Sequence, residues 1–296
     1  MLTRIAFLLI LLLPLASCGK KEDSPSPQKP LVLVSVPPYV YFVNEIAQGL
    51  VDVETLVPTG ANPHIYEATP KEVQRHRKAA LWVYLGESLD KKILQFFRET
   101  KQDIQIVDVA QKIELLSYCH EESLNEEHSH DGHCHHGEGA DLHIWLSPVL
   151  AKQQAQNIAR GLTALLPEHK EQIEANLQAF LSKLDLLNEQ ISTLLASMQG
   201  KAILVSHPAF AYFCKDYNLV QLSIEIEGKD PLPKDVTEIL LKAKSYNIQS
   251  VLFEPQYSNK GAELIAESMH LPTHLVDPYA ENYVENLLGI AKVIAE

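Results

Sequence analysis

PEHKEQIEANLQAFLSKLDLLNEQISTLLASMQG, residues 167–200, divides the chain in two. Its residues Ile173, Leu177, Phe180, Leu181, Leu184, Leu187, Ile191 and Leu194 recur at steps of three and four, which keeps one apolar stripe on a 3.6-residue helix. Pro167 suits a first helical turn, where a missing N–H loses no partner, and Gly200 suits the position just past the end. These signals predict one helix of about 30 residues within 167–199, roughly 45 Å long at 1.5 Å per residue. Such a helix can cross a whole domain.

On both sides of it, short apolar runs alternate with helical patterns. Before it, strands are expected at Leu31–Val36, Val53–Val57, Leu81–Leu85 and Ile104–Val107, with helices after Pro38, Pro70 and Ser88 and from Pro148 to about Leu166. After it, AILVS, LVQLSI, SVLFE and THLVD read as strands, with helices near Pro208, Pro233, Asn259 and Glu281. Strand and helix in alternation imply parallel sheets covered on both faces. The expected fold is therefore α/β: two Rossmann-like lobes with mainly parallel sheets, 31–166 and 200–296, joined by one long rigid linker helix. No short-period repeat is present, which argues against a solenoid.

A chain of 296 residues suffices for two cores, and 46% hydrophobic with 21% charged residues is a globular composition. The formal net charge of −13 argues against a nucleic-acid partner, since phosphate binding needs clustered Lys and Arg. MLTRIAFLLILLLPLASC places Arg4 before the apolar run Ile5–Leu13 and small residues before Cys18, the pattern of an export signal over residues 1–17. Leu15-Ala16-Ser17-Cys18 is similar to the lipobox of bacterial lipoproteins, which implies cleavage before Cys18 and lipid attachment there. Residues 18–30, polar and rich in Pro and Ser, then form a flexible tether. Loss of 1–17 removes Arg4 alone and takes the charge from −13 to −14. The expected product is an extracytoplasmic, membrane-anchored monomer. Of the cysteines that remain, Cys214 lies in the apolar pattern AFAYFCKDY and reads as buried; Cys119 and Cys134 bracket a histidine-rich segment, and their pairing is open.

In open α/β sheets, ligands bind beyond the carboxyl ends of strands. His64 follows the second expected strand, His207 follows AILVS, and Asp277 ends THLVD; His143 stands in ADLHIWLSP just before a helix. Three imidazoles and one carboxylate complete a four-coordinate shell for zinc. Pro63, Pro208 and Pro278 stiffen the loops that would present these groups. Glu254, in LFEPQ, and Glu67 are reserve candidates, each better suited to orienting a ligand histidine than to touching metal.

NPHIYEATP, DLHIWLSP, VSHPAFAYF and VDPYA, in this order and with the long helix between the second and third, resemble the solute-binding lipoproteins of bacterial ABC importers for zinc and manganese. The resemblance spans essentially the whole chain after the tether. It implies a metal held between two lobes by His64, His143, His207 and Asp277, and partners in a membrane permease with its ATPase subunit. Manganese receptors of that family often carry a carboxylate at the SHP position; His207 here favours zinc, with manganese or iron as alternatives.

CHEESLNEEHSHDGHCHHGEG, 119–139, has no apolar period and holds His120, His128, His130, His133, His135 and His136 among acidic residues. It reads as a loop of auxiliary, weaker metal sites. Such loops recur in the zinc branch of the resembling family. A zinc hydrolase is the rival class, but HSHDGH places its aspartate one position early for the H-x-H-x-D-H pattern, and H-E-x-x-H is absent. Four protein ligands also leave no open position for a catalytic water, so no enzymatic activity is expected. A surface adhesin, the other rival, finds no repeat array or large apolar stretch to support it.

Overall fold

The computed structural model describes residues 29–117, 139–225 and 231–296. Strands β1 (Leu31–Val34), β2 (Asp52–Thr55), β3 (Leu81–Tyr84) and β4 (Gln105–Asp108) form a sheet of order β2-β1-β3-β4; β5 (Ala202–Val205), β6 (Val220–Ser223), β7 (Val251–Phe253) and β8 (Thr273–Leu275) form another of order β6-β5-β7-β8. Every pairing is parallel. The same order in both sheets gives each a point where the chain reverses its direction of growth, between β1 and β3 and between β5 and β7. Ligand crevices open at such points.

Side chains alternate across a strand, and here the alternation sorts the cores. Val32, Val34, Leu81 and Val83 of the first sheet share one continuous core with Ile203, Val205 and Leu252 of the second. Leu33 and Trp82 face the other way and pack on α3 (Ser88–Glu99), whereas Leu204 and Val251 pack on α7 (Pro233–Ser245) and α8 (Lys260–Met269). The shared core is closed by α1 (Pro38–Ala47), α4 (Pro148–Leu165), α5 (Lys170–Leu194) and α9 (Tyr283–Ala295).

The long connector is α5, of 25 residues, with 3-10 turns at 167–169 and 196–198 in place of the uninterrupted helix expected over 167–199. Tight turns of this kind satisfy end groups that have no i±4 partner. Ile173, Phe180, Leu184, Leu187 and Ile191 are its buried stripe. Phe180 packs edge-on to Phe42 of α1, which also meets Tyr283 of α9, so both lobes rest on this helix. Gly161 lets α4 lie against β4: an added Cβ would collide with Val107 and press on Leu81.

Hydrogen bonds across the lobes concentrate on residues 141–147. The Trp145 indole N–H donates to the Pro278 carbonyl (2.8 Å), and the Tyr283 hydroxyl donates to the Trp145 carbonyl (2.6 Å). The Ser147 hydroxyl donates to Asp216, and the Tyr212 hydroxyl to the Asp141 carbonyl (2.7 Å). Four buried or part-buried bonds on one segment hold it to the second lobe. Among the described residues, no helix is long and apolar enough to cross a membrane. The export segment, the tether with Cys18, Cys119 and Cys134, and all six histidines of 119–139 lie outside the described residues. Among the described residues, Cys214 is buried and has no disulfide partner.

Candidate metal centre

His64, His143 and His207 converge at the junction of the lobes, each offering a ring nitrogen within 4.8 Å of the others. The residues flanking each explain its position. Asn62 Oδ1 accepts the His64 N–H (2.9 Å) and fixes the turn after β2. His143 caps the 3-10 turn 144–146, which Trp145 buries. His207 follows β5, and its N–H donates to Glu254 at the end of β7 (3.1 Å).

Each imidazole has a carboxylate behind it. Asp141 Oδ1 lies 2.8 Å from His143 Nδ1 and 2.9 Å from the His143 backbone N. Glu225 Oε2 lies 2.6 Å from His207 Nδ1, and Glu87 Oε2 lies 3.6 Å from His64 Nδ1. An ionised carboxylate only accepts, so the proton of His143 and of His207 stands on Nδ1 and the Nε2 lone pairs face the centre. Among the described residues, His207 Nε2 is buried without a hydrogen-bond partner. His143 Nε2 meets the Tyr279 hydroxyl at 2.9 Å. Tyr257 stacks on the His207 ring at 3.9 Å and 8°, and its hydroxyl lies 3.2 Å from that of Tyr279.

Burial divides the three. His143 is wholly buried and His207 is 5% exposed, but the His64 side chain remains 31% exposed. Burial, with the charges of His143 and His64, holds the pKa of His207 well below its ordinary value, so it is neutral at pH 7. Burial also pulls on His64, but Glu87, aided by Glu225 and Asp141, outweighs it and raises the pKa. For Glu87 the His64 interaction wins over burial, and its pKa is lowered. Burial pushes Tyr279 well above the usual phenol range, and its neighbour Tyr257 adds to this, so the hydroxyl keeps its proton.

An ion bound by three imidazoles at 2.0–2.1 Å would set its nitrogens about 3.3 Å apart. The cluster needs to contract by at most about 1.5 Å to hold one, and the orphaned Nε2 of His207 gains a partner when it does. The residues present fit a zinc-sized divalent cation.

Asp277 stands outside this set of three: its Oδ1 accepts from the Gln256 side chain (2.6 Å) and the Tyr279 N–H (2.9 Å). Glu254 is wholly buried beside the site, and burial, against the His207 N–H bond, raises its pKa well above the carboxylate range; among the described residues its Oε2 has no hydrogen-bond partner. Glu67 is exposed, and the carboxylate that faces His64 is Glu87. Sequence reasoning missed Asp141, Glu87, Glu225, Tyr257 and Tyr279. Glu87 and Glu225 follow β3 and β6 and so share the topological signal that singled out His64 and His207; Asp141 lies two residues before a candidate ligand.

Two parallel α/β lobes backed by a long helix, with a three-histidine cluster at their junction, two of its members buried, define a solute-binding receptor for a divalent metal ion. Residues 32–296 match the family described as ZnuA, zinc-uptake complex component A, periplasmic, and the chain belongs to that family. It is 32% identical over 293 residues to a putative metal-binding protein of Chlamydia trachomatis serovar D, covering 99% of each chain. It is 31% identical over 270 residues to the high-affinity zinc uptake system protein ZnuA of Yersinia pestis, covering 86% of this chain and 84% of that one. A crystal structure of ZnuA superposes with a TM-score of 0.81 at 35% identity, covering 90% of this chain and 98% of the other.

Proposed function

We propose that this chain is the extracytoplasmic receptor of an ABC importer, capturing zinc between its lobes and delivering it to a membrane permease served by an ATPase subunit. The convergence of His64, His143 and His207, with His207 Nε2 buried and unpartnered, is the observation that carries this reading. Capture begins at the exposed His64, while His143 and His207 wait deeper in the junction, held by their carboxylates. Asp277 is the proposed fourth ligand: Gln256 and the Tyr279 N–H anchor Oδ1, so Oδ2 is the oxygen left for the ion. Imidazole-rich donors suit zinc better than manganese, which prefers oxygen. Four protein ligands would leave no site for an activated water, so transport rather than hydrolysis is the chemistry supported. Glu254 orients the His207 backbone.

The bonds between residues 141–147 and the second lobe favour a rigid pair of lobes, with release driven by docking on the permease. Residues 119–139 act as auxiliary weak sites, and a lipid on Cys18 anchors a monomer to the membrane. Metal titration of purified protein, with competition among zinc, manganese and iron, tests the reading. Expected is one tight zinc site that His143→Ala or His207→Ala abolishes; retention of that site in both variants contradicts it. Deleting 119–139 should remove weak sites only, and Cys18→Ala should release the protein from the membrane.

A further inference from the structure

His143 and His207 differ in what faces their inner nitrogens. His207 Nε2 has no hydrogen-bond partner, whereas His143 Nε2 has the Tyr279 hydroxyl at 2.9 Å. Asp141 fixes the proton of His143 on Nδ1, so Nε2 accepts and the tyrosine O–H donates. A lone pair that receives this hydrogen cannot also bind an ion.

We propose that Tyr279 is a placeholder for the metal: its O–H occupies the His143 lone pair in the metal-free protein and turns to Tyr257 Oη, 3.2 Å away, when the ion enters. The proposal rests on His143 being a ligand. The Tyr279 oxygen sits 2.9 Å from Nε2, so an ion 2.0–2.1 Å from the same nitrogen requires the imidazole and the hydroxyl to part as the O–H turns. Tyr279 is buried against Trp145 (ring centroids 5.2 Å apart) and its backbone N–H is tied to Asp277, which keeps it beside the site while the hydroxyl turns. Stacking on His207 holds the Tyr257 ring in place, with its hydroxyl within hydrogen-bond distance of Tyr279.

The arrangement gives His143 a partner in both states. A fully buried nitrogen left without one carries a desolvation penalty, which would make the ion harder to give up. The placeholder therefore lowers affinity and speeds release, both useful in a receptor that must surrender its cargo. Tyr279 is a positioning and affinity-setting residue, outside the proposed ligand set.

Tyr279→Phe keeps the ring and removes the hydroxyl. Zinc should then bind roughly three- to tenfold tighter, through slower dissociation, the range of one net hydrogen bond. Tyr257→Phe removes the acceptor of the bound state and should weaken binding severalfold, while the double variant should match Tyr279→Phe alone. The nitrogen NMR signal of His143 Nε2 in metal-free protein should shift toward the unbonded position in Tyr279→Phe, a change that loss of packing would not produce. His143→Ala, measured in parallel, separates the two claims. If it binds zinc as the parent does, the ligand assignment fails; if it loses tight binding while Tyr279→Phe binds within twofold of the parent, or more weakly, the placeholder is refuted. Additive effects of the two tyrosine changes, or an unmoved Nε2 signal, would refute it as well.

Discussion

Replacing Asp141 by Asn tests how much of the metal site is made behind the ligands. Asp141 Oδ1 accepts two hydrogen bonds at 2.8 and 2.9 Å from one residue, His143, in a wholly buried setting. The carboxylate fixes the Nδ1–H tautomer, aims Nε2 and stabilises positive charge arriving at the ring. Asn can still accept from the backbone N–H, but it carries no charge, and its amide can present an N–H to Nδ1, which favours the wrong tautomer. Loss of such a partner typically weakens metal binding 10- to 100-fold, or about 1.4–2.7 kcal/mol. The assay is competition for zinc against a chromophoric chelator at pH 7.5. The expected Kd rises by that factor while the metal-free Tm moves by only a few degrees. A Kd within threefold of the parent would refute the argument that Asp141 sets the ligand.

The histidine shifts give the binding a pH profile. His64 has its pKa raised, so zinc must displace a proton from it first as pH falls, and affinity should drop from above pH 6.5 downward; His207, lowered, adds to the loss only further below. Calorimetry in buffers of different ionisation enthalpy should find up to about one proton released near pH 7, and flat affinity from pH 8 to 6 would contradict this. For stability of the metal-free protein the signs oppose: the His64 term is full below pH 6.5 and fades as pH rises through its folded pKa, whereas the His207 term is full above 6.5 and fades as pH falls. Gly161→Ala gains helix propensity of about 1 kcal/mol but overpacks against Val107 and Leu81 by about 1–3, so chemical denaturation should show no gain and a net loss of up to about 2 kcal/mol. Tyr283→Phe strips the buried Trp145 carbonyl of its donor and should cost about 1–2 kcal/mol in the same assay, with unfolding still a single transition.

The fold was legible because its periods are plain. Ile173 to Ile191 mark one buried stripe, and the runs that became β1, β3 and β5 are continuous apolar segments of the kind that sheets covered on both faces require. The ends of α5 were not legible, because nothing in Pro167 or Ala196 distinguishes a 3-10 turn from a helical one before packing decides. His64 and His207 could be found by placing them after strands, and His143 by its place just before a helix, topological arguments that need no side-chain geometry. Their partners were hidden for a physical reason: Glu225 and Glu87 lie 18 and 23 residues from the rings they face, and only packing of the sheets tells them from other acidic residues. Nothing in the sequence sets Tyr279 and Tyr257 apart from other tyrosines, and their hydroxyl positions emerge only once both lobes are folded. Asp277 illustrates the limit most clearly. Its place after β8 was readable, but the Gln256 and Tyr279 bonds that turn its carboxylate were not.

Anomalous diffraction at the zinc edge, from crystals of this protein grown with one equivalent of zinc, would test the central claim most directly. A single strong peak about 2.0–2.1 Å from Nε2 of His64, His143 and His207 is the result predicted here. A principal peak at any other group of residues, with those three nitrogens uncoordinated, would contradict it.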